Sequence, residues 1–201
     1  MKNKRMGPRR KVLLLMLQQI GFGAIGAYWA ISMGLLATNQ LDITLQRVVW
    51  GFGLAGALVA LALTADALFP RIMHELEQKV VSIWTEIGIR FTPTVVVLTA
   101  LGAGIGEELF FRAGVQTFLT TLMPPWIAVI VAGLGFGLMH AASTAYFVYA
   151  ALIGWILGAV YLVSDSLVVV MIGHTVYDLW ALDKLSGLMR DSSLSRGINR
   201  Q

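Results

Sequence analysis

The sequence contains no cysteine and unusually little charge. Without cysteine, a disulfide scaffold, a CxxC redox site and a thiolate metal site are all excluded. Charged residues make up 13% of the 201 positions, against about 25% in ordinary soluble domains. Hydrophobic residues make up 57%, too many for a soluble protein to cover its own surface. The composition therefore predicts a protein embedded in a lipid bilayer.

A basic stripe interleaved with aromatic side chains is also missing. The Lys and Arg residues flank apolar runs instead, and the net charge is only +4. A nucleic-acid partner is therefore not expected.

Six apolar runs are candidates for membrane-spanning helices. A helix that crosses the hydrocarbon core needs about 20 apolar residues. The fourth and fifth runs are short and close together, which predicts steep tilt or a tight turn between them. The pattern predicts an all-α, polytopic membrane helix bundle with about six transmembrane helices. The runs cover about residues 12–37, 48–69, 93–119, 126–142, 146–163 and 167–185.

The segment 71–90 has a different pattern. Its apolar residues recur at helical spacing with charges between them, which predicts one amphipathic helix lying along the membrane interface. His74 in this segment is interpreted as a solvated interfacial residue. The apolar positions are Ile72, Leu76, Val80, Ile83 and Ile87.

The basic residues predict the orientation of the bundle. Six crossings put both termini on one side of the membrane, and 13 of the 15 Lys and Arg residues then lie on that side. The positive-inside rule makes this side the cytoplasm. We expect an integral protein of the plasma membrane, the inner membrane of a bacterium, in one integral domain. Its parts would be a two-helix region with the interfacial helix (1–92), a four-helix core (93–185) and a cytoplasmic tail (186–201).

Six ionisable residues lie inside or at the ends of the apolar runs. Such residues are costly in a membrane and mark functional sites by default. A purely structural role for all of these residues is the weaker interpretation. A Glu108–Arg112 ion pair alone could be structural. The six are Glu107, Glu108, Arg112, His140, His174 and Asp178.

Helical spacing suggests different roles for these residues. Glu108 and Arg112 are four residues apart and share a helix face, so they can neutralise each other. Glu107 points about 100° away from Glu108 and has no cation nearby in sequence, so it is left to meet His140 or His174 from another helix. Asp178 lies four residues after His174 and can orient its imidazole or accept its proton.

Three short motifs resemble those of a known protease family. The sequence carries EExxxR at 107–112, FxxxH at 136–140 and HxxxD at 174–178, each in its own apolar run. This order resembles the CAAX-protease and bacteriocin-processing (CPBP) family of intramembrane proteases, also known as the ABI domain. The resemblance covers about residues 93–185.

The resemblance implies a membrane-embedded protease and a role for each of the six ionisable residues. It implies hydrolysis of a peptide bond in a membrane-associated or lipidated peptide or protein. Glu107 would be the general base, with His140 helping to activate water. His174 and Asp178 would stabilise the oxyanion, and Glu108 and Arg112 would support the site.

Two points stay open at this stage. Prenyl-protein proteases typically carry Asn where this sequence has Asp178, and an ionised Asp cannot donate to an oxyanion. Either Asp178 is protonated, or it holds His174 as an imidazolium and the histidine donates. We expect a mechanism with no metal cofactor, because the HExxH pair is absent; the alternative is a zinc ion held by Glu107, His140 and His174.

Other functions compete with the protease interpretation. A non-catalytic membrane scaffold or immunity protein could use the same fold, and the intact motifs count against it. A small transporter or channel would need polar residues along several helices, and the first two runs are nearly free of them.

Overall fold

The computed structural model describes residues 7–89 and 91–198. These residues form helices and contain no strand, so the predicted all-α bundle is confirmed. Some of the Lys and Arg residues used to predict the orientation lie outside the described residues, namely Lys2, Lys4, Arg5, Arg90 and Arg200. The same holds for the side chains of Arg9, Arg190 and Arg196. The helices are α1 (Pro8–Ser32), α2 (Leu45–Leu68), α3 (Pro70–Ile87), α4 (Pro93–Thr120), α5 (Pro125–Met139), α6 (Thr144–Ser164) and α7 (Leu167–Ile198).

Four of these helices are long and apolar enough to cross a membrane by length and composition, namely Arg10–Ser32 within α1, α2, α4 and α6. Helix α5 is apolar but has only 15 residues. At 1.5 Å per residue it is about 22 Å long, shorter than a hydrocarbon core of about 30 Å. Helix α7 is not among the four. The prediction of six crossings stays a prediction.

Hydroxyl side chains explain where three helices begin. Thr44, Thr92 and Ser143 each accept a hydrogen bond from the backbone N–H three residues later, at the starts of α2, α4 and α6. Such caps satisfy a donor that the first turn leaves unpaired. Proline stands in the first turn of α1, α3, α4 and α5, where its missing N–H does no harm.

Two helix ends differ from the predicted boundaries. Helix α1 ends at Ser32, five residues before the predicted end at Ala37, because Gly34 adopts a left-handed conformation with φ 67°. Helix α7 continues to Ile198, beyond the predicted end of the last membrane segment at Leu185. Charged residues end an apolar run, but Lys, Leu, Met and Arg are all good helix formers and do not end a helix.

Helix α3 packs its apolar stripe against the bundle. Its buried residues are Met73, Leu76 and Val80, whereas Ile72 is 50% exposed, so the stripe is rotated relative to the predicted one. The helix is fastened to α7 by Lys184, whose Nζ lies 2.7 Å from Glu77 Oε1 and 3.1 Å from Asp66 Oδ2. His74 is exposed, as predicted.

The backbones of α1 and α4 approach each other closely at two glycines of α1. A Cβ atom added at Gly23 would lie 2.9 Å from Gly106 Cα, and one added at Gly26 would fall on the backbone of Phe110. Small residues permit this approach between membrane helices. The main apolar core includes Leu58, Leu157 and Val170 from α2, α6 and α7, which are fully buried.

Candidate active site

Helix α4 changes its winding at the site. It is α-helical up to Glu108 and π-helical over Leu109–Gln116, a change that the sequence pattern did not predict. Such π-helical turns often occur at functional sites. Arg112 nevertheless contacts Glu108, with Nε 3.0 Å from Oε2, and both side chains are fully buried.

Glu108 also holds His174. Its other oxygen, Oε1, lies 2.9 Å from His174 Nδ1, so one carboxylate accepts hydrogen bonds from Arg112 and from the imidazole. Asp178 Oδ2 lies 3.7 Å from His174 Nε2, beyond hydrogen-bonding distance. The orienting role that sequence spacing suggested for Asp178 is therefore filled by Glu108, and Glu108–Arg112 is part of a three-residue chain rather than an isolated pair.

The Arg112 guanidinium is not fully satisfied by Glu108. Its Nη1 and Nη2 atoms are buried without a hydrogen-bond partner among the described residues. Its Cζ lies 5.6 Å from the centroid of the Phe136 ring, a distance at which an aromatic face attracts a cation. Phe136 thus borders both the supporting pair and the histidines.

His140 is held at the end of α5 by Phe136. The two rings stack at 4.7 Å between centroids, and His140 Nδ1 lies 2.8 Å from the Phe136 carbonyl oxygen. Because a carbonyl only accepts, Nδ1 carries the proton, and Nε2 of the neutral ring is left as an acceptor. The four-residue spacing of FxxxH therefore orients the histidine through one backbone carbonyl and one ring.

One cavity of about 260 Å³ brings four of the predicted residues together. Glu107, His140, His174 and Asp178 all line it, from α4, α5 and α7, whereas Glu108 and Arg112 are not among its lining residues. Glu107 Oε2 is buried with no hydrogen-bond partner among the described residues. The cavity therefore contains a carboxylate with an unpaired oxygen, together with two histidines whose Nδ1 atoms are already hydrogen-bonded.

The segment that carries most of this cavity matches a known protein family. A family model described as type II CAAX prenyl endopeptidase Rce1-like matches residues 89–180. The matched segment is a little under half of the chain, and it resembles the Rce1-like family. The match indicates an intramembrane endopeptidase of the CAAX type, and such a protease implies a protein substrate embedded in the membrane. No curated protein and no solved structure matches the chain.

The matched segment contains the six predicted residues, and the helices α1–α3 precede it. Together with its four long apolar helices, the family identifies a membrane protein.

The zinc site considered as the alternative stays a prediction, as does the mechanism without a metal. Among the residues that the structure describes, no group of three or more His, Asp or Glu side chains is placed to hold a metal ion. Each histidine uses only its Nδ1, His174 on Glu108 and His140 on the Phe136 carbonyl. Both Nε2 atoms stay free of these bonds, as they also do in metal-ligating histidines.

Several residues of the cavity were not predicted from the sequence. Gln19 reaches it from α1, Trp84 from α3 and Tyr146 from the first turn of α6. Gln19 was detectable as a polar residue within an apolar run, and its Nε2 lies 3.4 Å from the Thr99 carbonyl oxygen. Trp84 and Tyr146 carry no such signal, because aromatic residues are common at both membrane interfaces and in cores.

Proposed function

We propose that this Rce1-like protein hydrolyses a peptide bond with a water molecule activated by Glu107 and His140. The observation that supports this best is the cavity, which gathers Glu107, His140 and His174 around the unpaired Glu107 Oε2. An unpaired carboxylate oxygen in a buried cavity is an acceptor available for a proton of water.

The reaction uses the carboxylate twice. Water donates one proton to Glu107 while its oxygen forms a bond to the scissile carbonyl carbon. The carbonyl oxygen becomes an oxyanion in the tetrahedral intermediate. Glu107 then returns the proton to the amide nitrogen, the C–N bond breaks, and the products are a carboxylic acid and an amine. His140 Nε2, the acceptor that Phe136 leaves free, orients the water.

His174 stabilises the oxyanion in this scheme. Its Nδ1–H donates to Glu108, so the Nε2–H of the imidazolium form is directed away from Glu108. Asp178 lies near that nitrogen and favours the cation by its negative charge. Glu108 and Arg112 act behind the cavity as positioning residues, because they fix the ring without lining the cavity.

The surroundings favour a membrane-associated or lipidated peptide as substrate. Leu76, Val80 and Trp84 of α3 form an apolar wall of the cavity. With the predicted orientation, α3 lies on the cytoplasmic side of a bacterial inner membrane, and both termini are cytoplasmic. A substrate would therefore approach along the lipid interface, with its apolar part shielded from water.

Substitution of Glu107 tests the proposal. In purified protein in detergent or vesicles, Glu107→Gln should lower kcat by at least about 10²-fold, because general acid–base groups contribute about 10²–10⁴-fold. His140→Ala should also lower kcat. Cleavage of a panel of membrane peptides is measured by mass spectrometry.

Matched controls lie on the exposed face of α3. Glu75→Gln and His74→Ala remove the same functional groups at exposed positions and should leave kcat unchanged. If folded Glu107→Gln cleaves as well as the unsubstituted chain, or if the unsubstituted chain cleaves nothing, the proposal is wrong. Stoichiometric zinc that is lost on chelation together with activity would contradict the metal-free mechanism.

A further inference from the structure

The proposed chemistry needs hydrogen-bond donors around the oxyanion, and so far His174 is the one side chain assigned to that role. Oxyanion stabilisation depends on donors aimed at the position where the negative charge develops. His174 offers only Nε2–H, since Nδ1 is bonded to Glu108. An ionised Asp178 accepts hydrogen bonds but donates none. The tyrosines Tyr149 and Tyr177 also line the cavity, and their hydroxyls bond each other at 2.8 Å, which uses one of the two O–H groups as a donor.

Tyr146 is the remaining tyrosine of the cavity. It lies in the first turn of α6, where its backbone N–H donates to Ser143 Oγ at 3.2 Å. Its ring meets the His140 ring edge to face, with 5.3 Å between centroids and 72° between planes. The cap and the histidine together fix where the phenol lies.

The Tyr146 hydroxyl has no hydrogen bond to any residue that the structure describes. It lies within electrostatic reach of the carboxylates of Glu107 and Asp178. By contrast, the hydroxyls of Tyr149, Tyr161 and Tyr177 are bonded. A phenol that packs through its ring but leaves its O–H unpaired beside the proposed base is a donor available to a bound substrate.

We propose that the Tyr146 hydroxyl is a second oxyanion donor, acting beside His174 on the scissile carbonyl oxygen. This inference rests on the proposed function. The phenol keeps its proton throughout and only donates a hydrogen bond, which strengthens as the carbonyl oxygen gains negative charge. Tyr146 is thereby assigned a catalytic role, in place of the donor that an ionised Asp178 cannot provide.

The test is Tyr146→Phe, which removes the hydroxyl and keeps the ring that packs on His140. Removal of one oxyanion donor lowers kcat by about 10²–10³-fold in other enzymes, and we expect a loss of this order with KM changed less than about threefold. The affinity for a phosphinate peptide, an analogue of the tetrahedral intermediate, should fall in parallel with kcat/KM. A merely structural role would not produce that parallel.

The matched control is Tyr161→Phe on the same helix. Its hydroxyl lies 3.2 Å from Thr117 Oγ1, and it is not among the residues lining the cavity, so kcat should stay unchanged. If Tyr146→Phe does not fold, 4-fluorophenylalanine introduced at position 146 fills the hydroxyl volume without donating, and the same loss is expected.

The outcomes separate the two proposals. Cleavage by the unsubstituted chain, loss with Glu107→Gln and full kcat with Tyr146→Phe would overturn the role of Tyr146 and leave the proposed function standing. A Tyr146→Phe effect confined to KM would also overturn it. If the unsubstituted chain does not cleave, both proposals fall together.

Discussion

At the scale of single residues, Glu108 and Arg112 are the charges most isolated from water. Both side chains have no exposed surface, and Glu108 additionally accepts from His174. Taking charges out of water is expensive, so such a group is stable only with its partner in place. The pair therefore links the stability of α4 to the orientation of a histidine on α7.

Breaking this pair from one side should destabilise the protein strongly. Arg112→Met and Glu108→Gln should each lower the free energy of unfolding by about 3–5 kcal/mol, because each leaves a buried group without its partner. The double variant should lose clearly less than the sum of the two, since it contains no uncompensated charge. Unfolding in detergent by SDS titration measures all three.

A partly exposed ion pair provides the comparison. Lys184 and Glu77 have side-chain exposures of 33% and 13%, and pairs near the surface contribute only about 0–1 kcal/mol. The variants Lys184→Met and Glu77→Gln should therefore have small effects. Additivity of Arg112→Met and Glu108→Gln to within about 0.5 kcal/mol would show that the two side chains are not coupled.

At the scale of helices, the contact between α1 and α4 positions the proposed base. Gly23 packs against Gly106, the residue directly before Glu107, and Gly26 packs against Phe110 in the π-helical segment. Helix α1 also places Gln19 in the cavity. The segment that matches the family begins only at residue 89, so a helix outside it contributes to the wall of the proposed active site.

Gly26→Ala should therefore impair both stability and activity. Its added methyl group would fall on the Phe110 backbone, which cannot rotate away. Overpacking of this kind typically costs about 1–3 kcal/mol, and displacement of α4 should also lower kcat. Thermal unfolding and the cleavage assay give the two readouts.

The same helix offers a matched control. An added Cβ at Gly21 would meet nothing within 4 Å, and Ala exceeds Gly in helix propensity by about 1 kcal/mol. Gly21→Ala should leave stability unchanged or slightly raised. Equal destabilisation by the two substitutions would show that loss of glycine flexibility, rather than close packing, is responsible.

At the scale of the whole molecule, the charge distribution predicts the orientation in the membrane. The α1–α2 connection contains Asp42, and the first turn of α2 contains the single basic residue Arg47; both lie at one end of α2, and α3 follows its other end. The positive-inside rule makes the α3 end cytoplasmic. The proposed active-site cavity, which α3 borders, would then open toward the cytoplasmic interface.

The absence of native cysteine allows a clean test of this orientation. In intact bacterial cells, a membrane-impermeant maleimide should label Asp42→Cys. It should label Glu75→Cys on α3 only after the membrane is permeabilised. Both positions are exposed. The reverse labelling pattern would contradict the predicted topology, and the unsubstituted chain is the blank.

The sequence by itself determined the helical elements and which ionisable residues lie within them. These features are local, because hydrophobic periodicity and capping act within one helix. They include the apolar runs, the motif spacings, and the caps Thr44, Thr92 and Ser143. The spacing of Phe136 and His140 likewise became a real contact, since residues four apart in a helix are neighbours. These features could be predicted without knowing how the helices pack.

Only the tertiary structure decided which helices face each other and in which rotation. Glu108, 66 residues away in sequence, holds His174, while Asp178 four residues away does not bond it. The π-helical turn changes which side chains of α4 face the bundle, and packing between helices brings Gln19 and Tyr146 into the cavity. One sequence pattern fits many such rotations, so contacts between helices are determined by packing of the whole bundle.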